Sequence, residues 1–124
     1  MKKILVVEDE ELLSEIFATA LKKCGFDLSV ANNAAQALEY LAQTQPDLML
    51  LDMKLPDASG LSVLQRTREK YPKLPVIICT AFDQAKLEQT IGINALIHTA
   101  SDYLVKPVKL QDLTAKVKDI LVTK

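Results

Sequence analysis

The sequence predicts an α/β fold: a five-stranded parallel sheet of strand order 2-1-3-4-5, flanked by five helices, in one domain spanning residues 1–124. Three observations predict it. Ile4 to Val7, Leu48 to Leu51 and Val76 to Cys79 are apolar without alternation. Unbroken apolar runs of this length suit strands buried on both faces, as in a parallel sheet. Between these runs, apolar residues recur at helical spacing. Strand-then-helix alternation implies right-handed crossovers and helices on both faces of the sheet. Phe26 to Ala31 differ, with Phe26, Leu28 and Val30 alternating against Asp27 and Ser29. That suits an edge strand, and a polar edge strand second in sequence favours the order 2-1-3-4-5, which opens a crevice between strands one and three.

The elements follow in order. Lys3 to Val7 is the first strand, closed by Glu8-Asp9-Glu10. Leu12, Leu13, Ile16, Phe17, Ala20 and Leu21 form a helical stripe through about residue 24, and Gly25 stops it. Asn32 or Asn33 can cap the second helix, whose stripe is Ala34, Ala37, Leu38 and Leu41 and whose end Pro46 marks. The third strand, Leu48 to Leu51, delivers Asp52. Pro56 and Gly60 punctuate a loop before a helix from about Leu61 to Tyr71, ended by Pro72. Val76 to Cys79 leads to Thr80-Ala81. Residues 83–99 read as mostly helical, interrupted at Gly92-Ile93-Asn94. Asp102 to Val105 is the fifth strand, Lys106-Pro107 follows, and the last helix carries Leu110, Leu113, Val117, Ile120 and Leu121.

Composition narrows the function. Apolar residues make up 49% and charged residues 25%, as in soluble globular domains. A formal net charge of −1 gives no electrostatic reason for nucleic-acid or membrane binding. No apolar run is long enough to span a bilayer. Acidic residues from Glu8 onward break the first apolar run too early for a secretory signal. Cys24 and Cys79 read as reduced packing residues of a cytoplasmic protein.

The strand ends carry the chemistry. In the predicted order, strand one delivers Glu8 and Asp9, strand three Asp52, strand four Thr80 and strand five Lys106. Taken singly, each has an ordinary explanation: a helix-dipole acid, a turn aspartate, a strand threonine, a solvated lysine. Four strand ends each supplying a needed group favour a joint role. Clustered carboxylates repel unless a positive partner joins them. Mg²⁺, which takes oxygen ligands and is held by one or two carboxylates plus phosphate, suits the set. A carboxylate nucleophile at Asp52 would form an acyl phosphate. Lys106 would pair with a phosphoryl oxygen, and the Thr80 hydroxyl would donate to another.

These residues carry a resemblance. Val7-Glu8-Asp9-Glu10, Leu51 to Pro56 with Gly60, Val76-Ile77 through Thr80-Ala81, and Asp102 to Pro107 stand in the order seen in the receiver domain of two-component response regulators. The chain resembles that domain over essentially its whole length. The resemblance implies the flavodoxin-like receiver fold; the order 2-1-3-4-5 is itself known from this family, so the two readings of the sheet are not independent. It also implies Asp52 as phosphoacceptor, with Glu8, Asp9, Asp52 and the Met53 carbonyl around Mg²⁺. Lys106 becomes the phosphate-pairing lysine, Thr80 and Tyr103 the switch pair, and Lys106-Pro107 a cis peptide. The implied donor is a phosphohistidine on a sensor histidine kinase or a histidine phosphotransfer protein. Output would pass to a downstream protein target, or to an output domain if this is an excised receiver. The domain would not be an enzyme, though it assists its own phosphotransfer and hydrolysis.

The chain departs from the family pattern in places. Thr80 and Lys106 stand roughly four residues, about one helical turn, farther apart than is usual. The extra length falls between Ala81 and Asn94, on the expected output face. Thr99 replaces a usual Gly, and Val108 a frequent Phe. Lys54 and Phe82 are expected to flank the path of attacking water, and His98 reads as a surface or capping residue. Two rivals have less support. A dehalogenase-type phosphatase needs a second Asp where Lys54 stands, and a flavin or nucleotide module needs a Gly- or Ser/Thr-rich loop where Glu8-Asp9-Glu10 stands. A phosphorylation-independent interaction module is the remaining alternative. If Thr80 and Tyr103 relay phosphorylation to the face formed by the predicted fourth helix, fifth strand and last helix, Thr80→Ala will uncouple partner binding from phosphorylation. Binding by that variant that stayed fully phosphorylation-dependent would sink the switch assignment.

Overall fold

The computed structural model describes residues 1–81 and 99–122. Its elements are β1 (Lys3–Val7), α1 (Glu11–Lys23), β2 (Asp27–Ala31), α2 (Ala34–Gln43), β3 (Leu48–Asp52), α3 (Gly60–Lys70), β4 (Val76–Thr80), β5 (Asp102–Val105) and α4 (Leu110–Leu121). All strand pairings are parallel, in the order β2-β1-β3-β4-β5. This is the order expected from the polar second strand and from the family resemblance. Of the helix expected over residues 83–99, residues 83–98 lie outside the described residues, as does Phe82; Gly92 to Asn94 and His98 fall within that stretch.

The unbroken apolar runs conceal a period of two. Leu5, Val7, Met49, Leu51, Val76 and Ile78 point to one face, where they pack with Ala37 and Leu41 of α2 and Val63 and Leu64 of α3. Ile4, Val6, Leu48, Leu50, Ile77 and Cys79 point to the other, against Phe17 and Leu21 of α1 and Leu113 and Val117 of α4. Helices cover both faces, so both sets of strand side chains are buried and apolar. β2 lies at the edge, and only Ala31 of its five residues is fully buried. Cys24 and Cys79 are both free thiols, and burial pushes the Cys79 thiol up to about 12.

Helix ends follow local chemistry. Gly25 adopts a φ of 94°, the left-handed conformation that ends α1 at little steric cost. The Asn33 side chain accepts from the Gln36 N–H and so caps α2. The Ser59 side chain accepts from the Leu61 N–H, so α3 starts at Gly60, one residue before the predicted start. Lys106-Pro107 is cis.

One stripe is displaced. The buried face of α1 comprises Ser14, Phe17, Ala18 and Leu21, whereas Leu12 is 72% and Ile16 41% exposed. The helix carries more apolar residues than one stripe holds. The sheet takes those at i, i+3, i+4 and i+7 from Ser14, and Leu12 and Ile16 fall outside that arc.

Parallel register brings the strand ends level. Val7 pairs with Leu51, Asp52 with Cys79, and Thr80 with Val105. Glu8, Asp52, Thr80 and Lys106 therefore meet at one edge. The return from β3 into α3 is tight: the Gly60 N–H donates to the Met53 carbonyl at 2.8 Å. A Cβ on Gly60 would collide with the Asp52 carbonyl oxygen and lie 2.7 Å from Met53 Cα, both of them backbone. Gly60→Ala should therefore cost about 2 kcal/mol of stability in denaturant unfolding, by overpacking.

Candidate functional site

The site begins with the carboxyl ends of β1 and β3. One carboxylate oxygen from each of Glu8, Asp9 and Asp52 lies within 4.8 Å of the others. Glu8 and Asp52 are buried, and Asp9 is exposed. At that separation and an effective permittivity of about 20, two such charges repel by roughly 3 kcal/mol. Lys106 offsets part of this. Its ammonium lies 2.9 Å from Glu8 Oε1 and donates to Asp52 Oδ2 at 3.2 Å. With all three carboxylates ionised, one ammonium against them would leave a formal excess of two negative charges.

Each group is held by the backbone around it. Asp52 Oδ1 accepts from the Lys54 N–H at 3.2 Å. Glu8 Oε2 accepts from the Glu10 N–H at 3.2 Å. Glu8 Oε1 is buried, and its 2.9 Å contact with Lys106 is an ion pair that lacks hydrogen-bond alignment. The Lys106 N–H donates to the Thr80 carbonyl at 2.7 Å, which places the lysine beside the end of β4. Above this floor is a cleft of about 400 Å³, whose lining includes Asp9, Asp52, Lys54, Thr80 and Lys106.

The electrostatics follow from burial. Burial raises the Glu8 pKa to about 7; the Asp52 charge adds to the rise, and Lys106 opposes it. Burial likewise raises Asp52, against the Lys54 N–H and Lys106. For Lys106, burial pulls the pKa down, but the close contact with Glu8 and the pairing with Asp52 together outweigh it and hold the pKa above the ordinary value. Desolvation is the largest single effect on all three groups, and only at the lysine do the pairings together outweigh it.

The structure thus brings together Glu8, Asp9, Asp52, Thr80 and Lys106, all singled out from sequence. Thr80 is 4% exposed at its strand end. The Met53 side chain is buried in the core, and the Met53 carbonyl accepts from Gly60. Tyr103 is half-buried and packs against the core layer shared by α2 and α3. Sequence reasoning missed two supports. The Asn32 side chain donates from Nδ2 to the Glu8 carbonyl at 2.8 Å, and the Asp57 carboxylate accepts from the Ala34 and Ala35 N–H groups at 2.8 and 3.0 Å. Pro56-Asp57 signals a turn, but nothing local signals a bond across 22 residues of chain.

The donor set fits a hard divalent cation. Its three carboxylate oxygens are hard donors that converge within 4.8 Å, and their formal negative charge exceeds the single ammonium beside them.

Comparison with known proteins defines the class. A family model described as the response regulator receiver domain matches residues 4–118. The chain is therefore a member of the receiver domain family of two-component systems, a family of domains that are not enzymes in the usual sense. Its Glu8/Asp9/Asp52 cluster is typical of a phosphoacceptor site. Among similar solved structures is the response regulator TrrA of Thermotoga maritima, in complex with Mg²⁺ and BeF. It is 31% identical, with 98% of this chain and 100% of that chain covered and a TM-score of 0.84. The Francisella response regulator 1452 receiver domain is 28% identical over 97% of this chain and 96% of its own, with a TM-score of 0.85. A CheY-like receiver domain protein of Methanospirillum hungatei is 28% identical over 96% and 92%, with a TM-score of 0.86. Membership implies a cognate kinase as partner. Among the described residues, no helix is long and apolar enough to cross a membrane.

The raised Glu8 pKa has a stability consequence. Its folded value, about 7, stands above the ordinary 4.5, so the folded state holds the proton more tightly than the unfolded chain. The associated stability is complete below 4.5 and is lost as pH rises through about 7. In metal-free buffer above that pH, Glu8→Gln should unfold at higher denaturant than wild type. The gain should be on the order of 2 kcal/mol and shrink as pH falls.

Proposed function

We propose that this chain, as a single receiver domain over residues 1–124, is a phosphorylation-dependent signalling switch acting in the cytoplasm. The observation that carries the reading is the convergence of Asp52 with Glu8, Asp9 and Lys106 beneath an open cleft. Asp52 is the phosphoacceptor. Its carboxylate attacks the phosphorus of a phosphohistidine on a sensor histidine kinase or histidine phosphotransfer protein. A P–O bond forms, the P–N bond breaks, and the imidazole leaves with a proton from solvent. Transfer of this kind depends on positioning and charge stabilisation, which the fixed carboxylate and lysine supply.

Glu8, Asp9 and Asp52 would hold Mg²⁺, which when bound neutralises charge on the phosphoryl group and the acidic cluster. Lys106 exchanges its carboxylate partner for a phosphoryl oxygen as negative charge arrives. Thr80, at the end of β4, donates its hydroxyl to another phosphoryl oxygen. Its displacement opens space behind it, and the half-buried Tyr103 turns inward. The phosphoryl group, carrying about two negative charges, biases an equilibrium between two arrangements. The altered face then binds a downstream protein target or, in a longer chain, an output domain.

Intact mass after incubation with a small phosphodonor tests this, with and without Mg²⁺, on wild type and Asp52→Asn. One added phosphoryl group that requires both Mg²⁺ and Asp52 is the expected outcome. No labelled species under any condition, with Mg²⁺ binding also absent, would leave the interaction-module reading in its place.

A further inference from the structure

The segment after Asp52 is pinned at three points. Its base is closed by the Gly60 N–H to Met53 carbonyl bond and by an antiparallel bridge between Lys54 and Ser59. Its tip reaches across to another element. Asp57 Oδ1 accepts from the Ala34 N–H and Oδ2 from the Ala35 N–H, so both oxygens serve the first turn of α2. That turn already has its own cap in Asn33. Asp57 therefore adds a second, tertiary cap, which the positive end of the helix dipole favours. Those two N–H bonds hold the Asp57 carboxyl below its ordinary pKa, so it is ionised at neutral pH.

Both ends of this tie lead to the acidic cluster. On the α2 side, the Gln36 side chain accepts from the Asn32 N–H, and the Asn32 amide donates to the Glu8 carbonyl. On the loop side, the pinned segment begins at Lys54, whose N–H donates to Asp52 Oδ1. We infer that Asp57 is a positioning residue: by clamping the β3–α3 loop onto the start of α2, it fixes the Lys54 N–H against Asp52 and the β1 and β3 carboxylates relative to one another. Asp57 is exposed, and its carboxylate bonds to the Ala34 and Ala35 N–H groups, so its influence on the site passes through the backbone of its loop. This deepens the phosphoacceptor reading of Asp52 and rests on it for its effect on phosphotransfer; the clamp itself does not.

The test compares Asp57→Ala and Asp57→Asn with Asn33→Ala, which removes the local cap of the same helix and leaves the loop tie intact. Two readouts are taken on the full chain: amide hydrogen exchange, and the rate of labelling by a small phosphodonor at saturating Mg²⁺. Asp57→Ala should speed exchange at Lys54 as well as at Ala34 and Ala35, and slow labelling about three- to tenfold. Asp57→Asn, which keeps one acceptor oxygen, should recover part of both. Asn33→Ala should speed exchange within α2 and leave Lys54 exchange and the labelling rate within about twofold of wild type. Faster exchange confined to Ala34 and Ala35 in Asp57→Ala, with labelling unchanged, would overturn the inference. A wild type that takes no label would overturn the phosphoacceptor reading instead, and Lys54 exchange would still decide the clamp.

Discussion

The rest of the site depends on one ion-pair constraint: Lys106 lies between two buried carboxylates, 2.9 Å from Glu8 and 3.2 Å from Asp52. Neither acid could stay ionised so close to the other, at low solvent exposure, without a fixed positive group. The lysine is fixed because its own N–H bonds to the Thr80 carbonyl, across the pairing of β4 with β5. Sheet register thus sets the distance between charges on three different strands. The compensation is incomplete, and both acids keep raised pKa values. Three carboxylates beside one lysine make a donor set that suits a divalent cation.

The scaffold bears the strain through its apolar layers. Every residue of β3 and β4 is buried, with alternate side chains feeding the two core layers. Strands so enclosed hold their ends rigidly, and rigid ends place charges accurately. The loops above them are held by specific bonds, not by burial. Asp57 and Asn32 link the two crossover loops nearest the acids, and Gly60 permits the close return that seats α3 beside Asp52. On the opposite side of the molecule, Arg68 does similar work. Its guanidinium donates to the carbonyls of Leu74 and Thr99, at 2.7 and 2.8 Å. That ties the end of α3 to the chain entering β5.

Much of this was legible without coordinates. Continuous apolar runs at β1, β3 and β4, short and separated by helical patterns, suit a sheet covered on both faces, and the alternation in β2 suits an edge. Polar groups placed directly after those runs must then project from one end of the sheet, so Glu8, Asp9, Asp52, Thr80 and Lys106 could be named from their positions. The buried arc of α1 was less legible. Leu12 and Ile16 share the helical period of the core residues, and only docking on the sheet decides that Ser14 and Ala18 are covered and they are not.

The sequence by itself determined the fold class and the identities of the clustered groups, because these follow from periodicity and from position relative to strand ends; the strand order was favoured by the polar edge strand together with the family resemblance. Family membership, shown by the match over residues 4–118, agrees with that reading. Tertiary structure alone decided how charge is distributed among the groups and what holds them. Burial, not sequence, makes Glu8 titrate near 7. The bonds of Asp57 to α2 and of Asn32 to the Glu8 carbonyl join residues 22 to 24 positions apart. An exposed aspartate in a turn looks the same in sequence whether it faces water or caps a distant helix. The difference is made by where the chain returns in space, and local patterning carries no record of that.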